Sequence, residues 1–409
     1  MLTGQFVRLP SYPWQRERYW LESEESIQDR LGDVDNGRVS SRHPLLGKRL
    51  NLALSTQVWE GKLASSKLPY LKDHCIQHTA VFPGAGYIEM ALAAAAQIGA
   101  SSQLTEIEFQ RALPLFDLNL TEQVHPGGET PSTTRLQLVL SGDTIDILSQ
   151  RDVSPSESSQ SENELTWVHH ARSRYLPKSE ATATPPTQRL NLSAVQDRLG
   201  APLSQSTTYE QLEALGLSYG PTFQGITDLW HKDGEVLTKL HLHSDVAETN
   251  GEYQLHPVVI DLCLQSFLGI MTEDGSSAGD LQSNDENASQ LDTENGTGPA
   301  ETIYLPIQID QFTLLRRPDL ADTLYCHAWL SEKNEKQISG DIHLYTESGE
   351  LLMTVEGLRC QAVARQANLS RDSRRDRNAI YEVKWQPATS HRLLATNYQP
   401  PATNHQPTG

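Results

Sequence analysis

Two stretches of helical length stand out in a chain whose apolar residues otherwise come in short runs. Ile88–Ile98 is rich in alanine, and Val258–Met271 (VVIDLCLQSFLGIM) is apolar nearly throughout. Both read as buried helices, since a helix lying on the surface would carry a polar face. Strand candidates surround the first at Leu50–Leu63, Thr79–Phe82, Thr105–Phe109, Leu136–Leu140, Thr144–Leu148 and Trp167–Ser173. Others surround the second at Ile226–Trp230, Glu235–Leu242, Leu305–Leu315, Leu324–Leu330, Gln337–Tyr345 and Leu351–Ala364. One helix embedded among several strands predicts an α+β architecture with an antiparallel sheet. The same order occurs twice, which predicts a weak internal duplication without residue identity between the copies.

Polar stretches divide this pattern. Residues 1–40 hold an aromatic, Pro-rich strap (Leu9–Trp20) and then a polar linker, and they lack the apolar residues for a core. The first globular block is placed at 41–176 and the second at 205–368, with a Pro/Thr/Ala-rich and then helical linker at 177–204 and a linker or tail at 369–409. Ser154–Glu164 and Glu273–Glu301 are polar, low in apolar residues, and read as surface loops.

Charge narrows the list of partners. Lys and Arg number 33 against 52 Asp and Glu, a net charge of −19. Nucleic acid and an anionic membrane surface both call for a positive face, so neither is expected as a partner. No apolar run reaches the length of a membrane span. The four cysteines (75, 263, 326 and 360) are far apart and show no CxxC spacing, which reads as reduced thiols in a cytoplasmic protein.

Three constellations could carry chemistry. His74 lies in a polar cluster just ahead of the turn Pro83-Gly84-Ala85-Gly86 and the first apolar helix, where it either does chemistry or packs against a buried carbonyl. His78 stands four residues on, but that spacing places two metal ligands on one face only in a helix, and this region reads as loop and strand. Nothing distinguishes Cys75, between them, from a buried small residue. In the second helix Asp261 and Gln265 are four apart and share a face. A carboxylate inside an apolar helix is costly unless it is paired or functional, and burial raises its pKa toward what a general acid needs; a polar helix edge is the plainer alternative. The third is Leu217–Gly225 (LSYGPTFQG), a turn feeding a strand, whose Tyr219 faces either a cavity or the core.

Taken in order, His74-xxx-His78-xxxx-Pro83, then Tyr219-Gly220-Pro221-x-Phe223-Gln224-Gly225, then Asp261-xxx-Gln265 after His256-Pro257 resemble the signature motifs of the dehydratase domains of modular polyketide synthases. The flanks resemble it too. Leu9–Trp20 looks like the linker after an acyltransferase domain, His43-Pro44-Leu45-Leu46-Gly47 like the family's opening, and Tyr381–Trp385 like the start of the following segment. The resemblance implies a double hotdog, two fused units that each wrap a curved antiparallel sheet around a central helix. It implies that His74 is the base removing the α proton of a 3-hydroxyacyl thioester. Asp261 would then be the acid protonating the departing hydroxyl, with Gln265 and Tyr219 as aids and Pro83, Gly220 and Pro221 shaping the site. It further implies no bound cofactor and no metal. The substrate would be carried on the phosphopantetheine arm of an acyl carrier protein, with neighbouring synthase domains as partners and a homodimer left open. A hotdog isomerase, a pyran-forming cyclase and a non-catalytic structural domain are the rival classes. The family usually has glycine at position 78, where a backbone N–H receives the thioester carbonyl. A histidine side chain there would point outward or narrow the tunnel, and a positive φ would suit it less well than glycine.

Overall fold

The computed structural model describes residues 43–53, 55–63, 68–115, 134–151, 166–179, 189–271, 302–319, 323–334 and 336–364, with the backbone of 34–35 and 38–39. The strap at 9–20, the loops at 154–164 and 273–301, the tail from 369 and the segment 381–385 lie outside the described residues. Strands β1 (Val34–Asp35), β2 (Arg38–Val39), β3 (Lys48–Leu50), β4 (Gln57–Leu63), β5 (His74–Ile76) and β6 (Thr79–Ala80) precede helix α1 (Gly84–Gln97). Then come β7 (Gln103–Phe109), β8 (Thr134–Ser141), β9 (Thr144–Arg151) and β10 (Val168–Tyr175). Helices α2 (Leu192–Leu199) and α3 (Gln205–Ala214) flank β11 (Leu203–Ser204) and lead to β12 (Leu217–Tyr219), β13 (Ile226–Lys232) and β14 (Glu235–Leu240). The chain continues through α4 (Ser244–Thr249), α5 (Pro257–Leu268), β15 (Thr302–Leu314), β16 (Leu324–Lys333), β17 (Gln337–Thr346) and β18 (Leu351–Ala364).

Thirteen strands form one sheet in the order β11-β13-β14-β16-β17-β18-β15-β7-β10-β9-β8-β4-β3, and every pairing in it is antiparallel. The duplication is visible in that order. Outward from the central β7–β15 pair, one half runs β7-β10-β9-β8-β4-β3 and the other β15-β18-β17-β16-β14-β13. Each half inserts its helix at the same point, α1 between β4 and β7 and α5 between β14 and β15. This is the α+β double hotdog.

The helices sit where their composition dictates. All twelve residues of α5 are buried, as are eleven consecutive residues of α1 from Ala85 to Ala95. α1 packs on β7, β10 and α5, while α5 packs on β13, β14, β16 and β17. α1 starts four residues before the stretch expected from apolar pattern alone, because Pro83 serves as its N-cap in extended geometry and Gly86 approaches the Phe82 ring. A Cβ at Gly86 would lie 2.6 Å from that ring.

A second, three-stranded sheet, β12-β5-β6, crosses the division between the halves. Its hairpin turns on Gln77 and His78, with φ of 47° and 64°. A two-residue turn with both central φ positive favours Asn-Gly. The His78 side chain is exposed, so of the two outcomes open at this position the outward one holds. What remains is backbone strain. His78→Gly is therefore expected to raise stability in urea by up to about 1 kcal/mol, the cost of holding an L side chain in the left-handed region. An unchanged or lower urea midpoint would contradict this.

Candidate active site

Pairing of β12 with β5 sets Tyr219 opposite His74. Pro69 opens a 3-10 turn through Asp73, and His74 follows as its C-cap in extended geometry, buried at 7% exposure. Its Nδ1 is 2.8 Å from the Val81 carbonyl, and a carbonyl can only accept, so Nδ1 carries the hydrogen. The lone pair is left on Nε2, which stands 3.5 Å from Oδ1 of Asp261. Phe223 and Tyr219 line the imidazole with ring centroids at 5.4 and 5.7 Å.

Asp261 reaches this point from the other half, on α5, where Pro257 occupies the first turn and His256 accepts from the Val258 N–H at 3.2 Å. Gln265, one turn further, donates one N–H to Asp261 Oδ2 at 2.8 Å and the other to the Phe223 carbonyl at 3.2 Å. Burial raises the Asp261 carboxyl above its ordinary value; the nearby His74 and the Gln265 hydrogen bond offset part of that. Burial, with the Asp261 and Tyr209 charges behind it, pushes the half-buried Tyr219 hydroxyl well above its usual range, so Tyr219 is a hydrogen-bond donor at neutral pH.

His74, Asp261, Gln265 and Tyr219 thus converge. Pro83 caps α1, Gly220 and Pro221 shape the turn after β12, and His78 sits out on its hairpin. His74 and His78 therefore occupy a strand and a turn, not one helix face, and no cluster of three or more metal-ligating side chains occurs among the described residues. All four cysteines are free thiols, and burial raises that of Cys75, the opposite of what a nucleophile needs. No described helix is long and apolar enough to cross a membrane.

Three contributors carry no motif in the sequence. Tyr209, on the polar-looking α3, brings its hydroxyl to 3.3 Å from Gln265 Oε1 and 3.1 Å from the Phe223 carbonyl, and accepts from the Ile226 N–H at 3.0 Å. Asp73 accepts from Thr222, and Glu89 of α1 is fully buried against the chain entering α5. Glu89 had a signal, being the lone charge in an Ala-rich helix.

Two family models match the chain. The polyketide synthase dehydratase domain model matches residues 43–140, and one described as the polyketide synthase dehydratase N-terminal domain matches 187–282 and 288–370. Polyketide synthase GfsE of Streptomyces halstedii is 30% identical over 264 residues, 64% of this chain and 6% of that protein. A phenolphthiocerol/phthiocerol polyketide synthase of Mycobacterium tuberculosis (strain CDC 1551 / Oshkosh) is 26% identical over 385 residues, 89% of this chain and 17% of that protein. The chain thus spans only a small part of the length of these synthases. Among solved structures, the dehydratase domain from the CurJ module of curacin polyketide synthase superposes with a TM-score of 0.58 at 22% identity, covering 79% of this chain and 98% of its own. Two CurK dehydratase inactive mutants, one His-to-Phe and one Asp-to-Asn, superpose at TM-scores of 0.57 and 0.56 with 23% and 22% identity, each covering 79% of this chain and 97% of its own. On motifs, topology and family models together, this chain belongs to the dehydratase domains of modular polyketide synthases.

Proposed function

We propose that the domain removes water from a 3-hydroxyacyl thioester held on the phosphopantetheine arm of an acyl carrier protein, leaving the enoyl thioester. The carrier protein and the neighbouring synthase domains are its partners. The observation that carries this reading is the 3.5 Å approach of a histidine Nε2 lone pair to a buried carboxyl of raised pKa. His74 Nε2 takes the α proton, and the C–H electron pair becomes the Cα=Cβ bond. The Cβ–O bond then breaks as Asp261 gives its proton to the leaving oxygen, which departs as water. Burial holds the Asp261 carboxyl above its ordinary range, as an acid that must keep its proton near neutral pH requires. No electron enters or leaves, so the step calls for no redox cofactor. Afterwards the imidazolium and carboxylate face each other, and return of the proton resets the pair. Tyr219, opposite His74 on the paired strand, would donate to the substrate, and the residue types changed in the two inactive CurK mutants are those of His74 and Asp261.

The test is to incubate the chain with a 3-hydroxyacyl carrier protein and weigh the acyl group by mass spectrometry. Loss of one water with appearance of conjugated enoyl absorption is expected. A product of unchanged mass, as from a double-bond shift, would overturn the proposal.

A further inference from the structure

The base and the acid belong to different halves of the fold, so no local sequence sets the distance between them. One carboxylate bridges the gap. Asp73, the neighbour of His74, is 9% exposed, and its Oδ2 accepts from the Thr222 N–H at 3.1 Å and the Thr222 hydroxyl at 2.7 Å. Its carbonyl accepts from the Gly220 N–H at 2.7 Å. The approach is so close that a Cβ on Gly220 would lie 2.5 Å from both Cγ and Oδ1 of Asp73. Thr222 is the middle residue of the turn Pro221–Phe223, and the Phe223 carbonyl accepts from Gln265, whose other N–H holds Asp261.

We infer that Asp73 is a positioning residue for the dehydration proposed above, clamping the Pro221–Phe223 turn so that His74 and Asp261 are held at working distance. The links form a closed circuit: His74, Asp73, Thr222, Phe223, Gln265, Asp261, and across 3.5 Å back to His74. Asp73 touches no reacting atom. Its side chain fixes the turn that carries the carbonyl to which the acid's own partner is bound, while its backbone continues into the base. Loosening the clamp lets Gln265 and Asp261 drift from Nε2, and a displacement near 1 Å at such a pair costs up to about a hundredfold in rate.

Thr222→Val is the sharpest test, because it deletes the hydroxyl bond and keeps the shape and the N–H bond. In that variant and in Asp73→Asn, kcat is expected to fall on the order of tenfold while KM holds, since the loss concerns alignment and not substrate binding. Thr222→Ser, which restores the hydroxyl, is expected to recover most of the rate. Wild-type kcat in Thr222→Val, a loss confined to KM, or a loss explained by the fraction unfolded in a melting curve would each overturn the clamp. A readout independent of turnover separates this from the function itself. The 15N imidazole resonances of His74, assigned with His74→Asn, are expected to move in both clamp variants. If the wild-type chain dehydrates nothing, the proposed function fails, and the His74 resonances still decide the clamp: unmoved resonances reject it.

Discussion

Asp261→Asn is expected to lower kcat by roughly 10²–10⁴-fold, the usual worth of a positioned acid or base. Asparagine keeps the size of the side chain and a partner for Gln265, but it has no proton to give to the departing hydroxyl. KM should change little, because the proton transfer is made in the transition state. His74→Ala should lose a similar factor, and the double variant little more than either single one, since the two residues act in one step. Two further readouts follow from the direction of the Asp261 shift. In the proposed reaction the active form holds its proton on Asp261, so wild-type rate is expected to fall as pH rises through that raised pKa, and this alkaline limb should vanish in the variant. Stability falls in the same direction. With the folded-state pKa above the unfolded one, the folded chain keeps a proton the unfolded chain has released, and stability is lost as pH rises from the unfolded value through the folded one. Asparagine escapes that loss, so at neutral pH the inactive variant should melt no lower than wild type. Undiminished turnover in Asp261→Asn would remove it from the role of acid.

Much of this arrangement is legible in the chain, and what is not has a physical reason. The second-half strands Leu324–Lys333, Gln337–Thr346 and Leu351–Ala364 fall where alternation and branched residues place them, because a sheet with one face on a helix imposes period two. Leu50–Leu63, one candidate strand by pattern, is instead β3 and β4 with a break between, and in that break the apolar Leu52 is 42% exposed and takes no part in the core. β5 and β12 are three residues each, and their pairing joins segments far apart in sequence, beyond the reach of any local periodicity. The site follows the same rule. Asp261 and Gln265 are one turn apart on one helix, and that spacing alone implies their contact. Tyr209 reaches Gln265 from α3, whose sequence QSTTYEQLEA shows no apolar stripe. Asp73 looks in sequence like a stray neighbour of His74, because its partners, Gly220 and Thr222, are fixed only by the crossing of the halves. Glu89, like Asp261, is a lone carboxylate in an apolar helix, and the same cost of burial singles it out.

Glu89→Ala is expected to destabilise the fold by about 3–5 kcal/mol, the scale for removing one partner of a buried charged network. Glu89 Oε1 accepts from the Gln254 N–H at 2.7 Å and from His43 Nε2 at 2.8 Å, and Oε2 accepts from the Leu255 N–H at 2.9 Å. His43 Nδ1 accepts from the Leu46 N–H at 3.2 Å, so the ring hydrogen is on Nε2 and points at Glu89. Burial pushes the carboxyl above its ordinary value, and these three donors pull it part of the way back. Alanine leaves two backbone N–H groups and a ring N–H buried without acceptors, at about 1–3 kcal/mol each before any relaxation. Glutamine is no rescue, because whichever oxygen becomes NH2 meets a donor. The loss should appear as a lower urea midpoint at unchanged m. Exposed Glu106, paired with Arg174 at the surface, provides the contrast, with a change to alanine expected to stay within about 0.5 kcal/mol. Were Glu89→Ala as mild as that, the buried network would not be holding the entry to α5. The two buried carboxylates thus predict opposite outcomes for neutral replacement at the same depth. Asp261 is met by a single amide donor and is costly to keep, whereas Glu89 is met by three and is costly to lose. The number of donors facing each group, not its burial, decides which carboxylate is free to do chemistry and which one holds the two halves together.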